Sequence, residues 1–181
     1  MYDLIAQAIG LVAMAFIVLS FQQKTPRRAI VFQMLGCILF SVNFGMLGAL
    51  VGMCLDIIGT FRALVYSNRE KFHADHPGWL VFFILLYLIS YVLNFTLFGV
   101  EFTLGRGALE LLPVIGMTAT TISFRLQNTK LIRLFGFISS PCWLTYNLVN
   151  MAVGGVICEV FSLCSIVIGL IRYDLKPSKK A

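Results

Sequence analysis

Asp56 and Glu159 are ionisable groups in an unusual place, each a few residues into an apolar segment. An ionised carboxylate at the centre of a membrane helix costs about 2.5–3.5 kcal/mol on insertion scales, and less near the interface. Two of them at equivalent places predict a shared polar cavity. There they could bind a cation, accept protons, or orient an Asn or Arg. The competing reading has each carboxylate reaching outward to water or paired within its own bundle. Asn43 and Asn147 lie in the preceding apolar segments, toward the same end. An amide both donates and accepts hydrogen bonds, which suits a neutral polar solute. It serves equally well as glue between helices, at about 0.6 kcal/mol per bond. Trp143 sits one turn before Asn147 and so shares its face. Its ring can stack on a sugar or heterocycle; an interfacial anchor is the alternative. Tyr146, next to Asn147, joins this substrate-binding set. Glu110 opens the fifth apolar segment, directly before Leu111-Leu112-Pro113. A negative charge is favoured at a helix N-terminus, so capping is the first reading of Glu110 and gating or charge coupling the second. Arg62 follows Asp56 by six residues, a poor alignment on one helix, and is expected to snorkel to the interface.

Other chemistry is thinly represented. His73-Ala74-Asp75-His76 could hold a metal, but a solvated loop is the simpler reading. No Gly-rich phosphate loop and no nucleophile–base spacing occurs, so neither an enzyme nor a cofactor is indicated. The five cysteines (Cys37, Cys54, Cys142, Cys158 and Cys164) fall inside apolar segments with no CxxC pair. They read as small apolar residues.

These residues need a membrane scaffold. Of 181 residues, 59% are hydrophobic and 12% charged, against about 25% charged in soluble domains. The net charge of +6 then reads as basic loops fixing topology, with no nucleic acid implied. The N-terminus lacks a basic n-region, so the first helix is expected to be retained. A span of about 20 apolar residues crosses the hydrocarbon core. Seven candidate spans follow: 4–21, 29–48, 50–66, 79–100, 111–124, 131–149 and 153–173. With the N-terminus outside, Lys24, Arg27, Arg28, Arg69, Lys71, Arg125, Lys130, Arg133 and the tail's Lys residues all fall on the cytoplasmic side. Arg106 alone falls outside. That asymmetry predicts seven spans, N-terminus out and C-terminus in.

The chain also echoes itself. Ser20/Ser123, Phe21/Phe124, Thr25/Thr129, Asn43/Asn147, Ala49/Ala152, Gly52/Gly155 and Arg69/Arg172 match at offsets alternating between 103 and 104, which requires two small gaps. Both copies place their basic loop after the first helix, so an odd number of linking helices must separate them. The expected fold is an all-α membrane protein of two parallel three-helix bundles joined by a linker helix (3+1+3). Its parts are a first repeat at 4–66, a linker at 79–100, a second repeat at 111–173 and a basic cytoplasmic tail at 174–181. One chain would enclose a pathway, so a monomer suffices, with a homo-oligomer as the open alternative.

The run Glu110-Leu111-Leu112-Pro113-Val114-Ile115-Gly116, then Cys142-Trp143 with Asn147, then Gly154-Gly155 and Glu159, resembles the YgjV family of bacterial inner-membrane proteins. The resemblance covers nearly the whole chain and rests on the order and spacing of short motifs. It implies the 3+1+3 layout of the wider PQ-loop/SWEET-like group, which includes sugar facilitators, nicotinamide riboside channels, proton-coupled amino-acid exporters and a trafficking receptor. It names no substrate. Sugar facilitators of that group carry a proline in each of the first two helices of both repeats. Here Pro113 and Pro141 serve the second half, with Gly10 and Gly36 near the matching points of the first. The Pro-Gln signature is absent after the first helix, which reads Gln22-Gln23-Lys24-Thr25-Pro26. Where the group places an Asn on each third helix, this chain has Asp56 and Glu159. The expectation is a small-solute transporter of the inner membrane, proton-coupled or selective for a polar or cationic solute. The alternative is a non-cycling receptor or accessory protein that binds a peptide or lipid group.

Overall fold

The computed structural model describes residues 2–97, 99–150 and 152–175. These form eight α-helices and no strand. They are α1 (Tyr2–Ser20), α2 (Pro26–Met46), α3 (Leu50–Ser67), the single turn α4 (Arg69–Phe72), α5 (Pro77–Thr96), α6 (Leu104–Leu126), α7 (Thr129–Val149) and α8 (Val153–Gly169). A π-helical turn, Leu170–Leu175, extends α8. Among the described residues, α2, α3, α5, α6 and α8 with its extension are long and apolar enough to cross a membrane. The fold is that of a helical membrane protein. On α5 only Phe83, Tyr87, Ser90 and Asn94 are buried. Their 4-3-4 spacing is one helical stripe. Away from this stripe, Val81, Leu85, Leu88, Ile89 and Val92 are exposed and apolar, a surface suited to lipid.

Helices pack in chain order: α1 on α2 and α2 on α3, then α6 on α7 and α7 on α8. The two groups meet where α1 lies against α8 and α3 against α6, and α5 packs on both α3 and α6.

The register between the groups is simpler than the sequence suggested. Both ends of α2 and α7, and the starts of α3 and α8, differ by 103. Turn bonds repeat at the same offset. Ala49 N–H donates to Phe44 O at 2.9 Å, and Ala152 N–H to Asn147 O at 2.9 Å. Leu47 N–H donates to Asn43 O at 3.0 Å, and Asn150 N–H to Tyr146 O at 3.1 Å. No gap is needed. Asn147 therefore corresponds to Phe44, and Asn43 to Tyr146. The two identical amides had drawn the sequence match one residue out of step, as had Thr25 and Thr129, for the residue matching Thr25 is Asn128, which caps α7.

Helix boundaries also move, most of all at the start of α6. α6 begins at Leu104, not Leu111, because Thr103 caps it by accepting from Arg106 N–H at 3.2 Å. Pro113 removes one backbone donor but lies inside the continuing helix. Glu110 is thus well within α6 and does not cap it. Before α5, His76 Nδ1 accepts from Gly78 N–H at 3.0 Å, while Asp75 pairs with Arg69. Lys176, Lys179 and Lys180 of the tail lie outside the described residues, and Asp174 belongs to the π-helical turn.

Candidate functional site

Asp56 on α3 and Glu159 on α8 line one cavity of about 90 Å³. Asp56 is buried and Glu159 partly buried. Each faces a small polar side chain of the helix before it, Asp56 meeting Cys37 of α2 and Glu159 meeting Ser140 of α7. Trp143 and Asn147 of α7 line the same space, with Phe40 and Phe44 of α2 across from them. Glycine makes these placements possible. A Cβ at Gly155 would come within 2.5 Å of the Asn147 amide, so α8 must be bare there to seat it. A Cβ at Gly116 would meet the Trp143 indole at 3.2 Å. Asn147 is buried, and its Oδ1 has no hydrogen-bond partner among the described residues. A buried acceptor in that condition is an available contact for a solute or water.

Arg62 lines this cavity too, and its placement corrects the snorkelling expectation. The side chain is 2% exposed. Its Nη1 donates to Met117 O at 3.2 Å, Tyr87 Oη at 3.3 Å and Thr121 Oγ1 at 3.4 Å. The guanidinium carbon lies 4.8 Å from the Phe124 ring centroid. Six residues put Arg62 off the Asp56 face, but its long arm reaches back into the core.

Glu110 and Tyr146 belong to a second cavity of about 390 Å³, at the end of the bundle where α3 and α8 begin. Gln7, Asn94, Arg106 and Asn150 also line it. Arg106 Nη2 pairs with Glu110 Oε1 at 2.8 Å and donates to Asn150 Oδ1 at 3.5 Å. Glu110 also faces Asn94 and Tyr146. Phe44 borders both cavities, and its ring stands 6.4 Å from that of Trp143, nearly parallel to it. Glu110 and Tyr146 thus line a different cavity from Asp56, Glu159 and Asn147, with Phe44 bordering both and the Tyr146 ring edge-on to Trp143 at 5.9 Å.

Asn43 lines neither cavity. Its Nδ2 donates to Ala6 O at 2.7 Å, joining α2 to α1, and its side chain covers Gly10.

Sequence reasoning missed a third polar group. The sequence places Arg133 among the loop charges, yet the residue is 1% exposed. Its Nε donates to Phe21 O at 2.9 Å, its Nη2 to Gln23 O at 2.8 Å, and its Nη1 pairs with Asp174 at 2.7 Å. It ties α7 to the end of α1 and to the turn after α8. Phe21, held in this way, also borders the central cavity. The missed signal was Gly169: a Cβ there would meet Arg133 Nε and Phe21 O at 2.8 Å.

Searches of curated proteins and of solved structures return no match. A family model described as Imp-YgjV, bacterial inner membrane protein, matches residues 4–176. That match spans nearly the whole chain, and the protein belongs to the YgjV family of bacterial inner membrane proteins.

Proposed function

We propose that this protein is a small-solute transporter of SWEET-like, PQ-loop-type architecture. In this reading α1–α3 and α6–α8 are parallel repeats, α5 is the linking span, and the seven spans run N-terminus out to C-terminus in. The single observation that carries it is the central cavity, to which α3 and α8 each contribute a carboxylate at the same register. Binding sites between related bundles are the usual arrangement in transporters. Trp143 and Asn147 would contact the solute, and Asp56 and Glu159 would supply charge or take protons. Phe44 would be the barrier toward the Glu110 cavity, with Arg133 and Phe21 closing the other end. Alternating access would open one barrier at a time. No chemical step is assigned to any residue.

A receptor that binds without cycling is the second reading. It is favoured by the asymmetry of the prolines, since α6 and α7 carry Pro113 and Pro141 inside while α1, α2 and α3 carry only Pro26 at the start of α2. Counterflow separates the two. A thermal-unfolding screen of sugars, nucleosides, amines and amino acids identifies a stabilising solute, because a ligand that binds only the folded state raises the midpoint. The transporter then exchanges labelled solute across a proteoliposome membrane. Binding with no exchange would establish the receptor.

A further inference from the structure

Arg62 carries the third charge on the central cavity. A guanidinium stays ionised in a protein, and a buried charge needs compensation. Yet its Nη1 reaches only neutral acceptors on α5 and α6, namely Tyr87 Oη, Met117 O and Sδ, and Thr121 Oγ1. Tyr87 and Thr121 are bonded to each other at 3.0 Å, which fixes that cradle. Among the described residues, no carboxylate lies within ion-pair distance of Arg62. Beyond the Phe124 ring face, the opposite charge that acts on it at the cavity is that of Asp56, on the same helix. A Cβ at Gly59 would lie 3.3 Å from Cys37 Sγ and 3.7 Å from Arg62 Nη2, and Cys37 in turn faces Asp56. Guanidinium, thiol and carboxylate therefore gather around one bare stretch of α3. The other titratable groups near this space are Glu159 and Cys158 of α8, Tyr87 of α5 and Tyr66 of α3 itself. From α6 and α7 the lining is neutral, including Met117, Thr120, Ser140 and Asn147.

Resting on the transporter reading, we propose that Arg62 is the fixed counter-cation of this cavity and that the site selects a small organic monocation such as an alkylammonium. When both carboxylates are ionised, two of them against one guanidinium leave a single negative charge to be matched. Trp143 and Phe44 offer ring faces on which a cation is attracted. A neutral isostere leaves that charge unmatched, and a dication overshoots it. Arg62 thus sets the valence of the solute.

The test uses the full chain in detergent, with thermal unfolding measured against n-butylammonium, n-butanol and 1,4-diaminobutane. The native protein is expected to bind n-butylammonium at least about tenfold more tightly than either of the others, a gap easily read from the midpoint. Arg62→Gln is expected to move the preference to the diamine, and Arg62→Lys to keep the native order. Glu159→Gln, with Arg62 intact, is expected to bring n-butanol level with n-butylammonium; this variant carries the test if Arg62→Gln does not fold. An unchanged ranking in Glu159→Gln, or a native protein stabilised equally by all three compounds or by none, would overturn the assignment. The expected ranking without counterflow of n-butylammonium would sink the transport reading and leave the charge assignment standing.

Discussion

Asp56 and Glu159 stand 103 residues apart in the chain and line one cavity, Asp56 facing Cys37 and Glu159 facing Ser140, which are themselves 103 apart. Each helix triplet thus delivers the same constellation, a carboxylate on its third helix and a small polar group on its second. If these carboxylates take up and release protons during a cycle, transport must respond to pH. Uptake by the native protein is expected to change between acidic and neutral pH, and Glu159→Gln to flatten the profile. A variant with the native pH profile would remove Glu159 from any coupling role.

The two asparagines have different jobs. Asn147 presents an unpartnered Oδ1 at the cavity, whereas Asn43 spends its amide on Ala6 O. Asn43→Ala is expected to lower the unfolding midpoint modestly, in keeping with about 0.6 kcal/mol for an interhelical bond in a membrane, and to leave solute binding intact. Asn147→Ala is expected to abolish the ligand-induced rise of the midpoint. The reverse pattern in the same thermal assay would contradict this division.

Phe44 separates the two cavities and packs against Gly52, where a Cβ would approach its ring to 3.0 Å. Phe44→Ala is expected to join the cavities and so expose Cys37, a buried residue of the central one. Site-resolved mass spectrometry after maleimide treatment checks this. Cys37 should label several-fold faster than in the native protein, and Leu47→Ala, confined to the Glu110 cavity, should not change it. Equal labelling in all three proteins would place the barrier elsewhere.

At the opposite end, Arg133 and Asp174 form a nearly buried ion pair. Removing one member of such a pair typically costs about 3–5 kcal/mol, because the other charge is stranded. Arg133→Gln and Asp174→Asn are each expected to lower the unfolding midpoint strongly. The double variant should fall by less than the sum of the two, as coupled neighbours do. Strict additivity would mean that the pair contributes nothing as a pair.

The membrane helices were legible because long apolar runs announce them, and the self-similarity of the chain pointed to paired carboxylates. The start of α6 was hidden by Gly105, Arg106, Gly107 and Glu110, whose low hydropathy resembles a loop. The helix forms there because Thr103 caps it and Arg106 pairs with Glu110 one turn on. Register was misread where residue identity conflicted with geometry: Phe44 and Asn147 share no chemistry, but both rest on a glycine of the following helix. Arg62 and Arg133 read as surface charges in the sequence because the groups that hold them come from other segments of the chain, hydroxyl and carbonyl oxygens for Arg62 and two carbonyls with the Asp174 carboxylate for Arg133. No spacing within one helix could reveal such partners. The Glu110 cavity draws on α1, α2, α3, α5, α6 and α7, and is equally invisible in the sequence.

The most direct measurement is counterflow of a stabilising solute in proteoliposomes containing native protein, Asp56→Asn or Glu159→Gln. The native protein should exchange the solute, and each single variant should lower the rate by at least about tenfold, comparable to loss of a charged hydrogen-bonding partner in a buried site. Native rates in both variants, from proteins that remain folded, would show that the carboxylates Asp56 and Glu159 do not form a solute pathway.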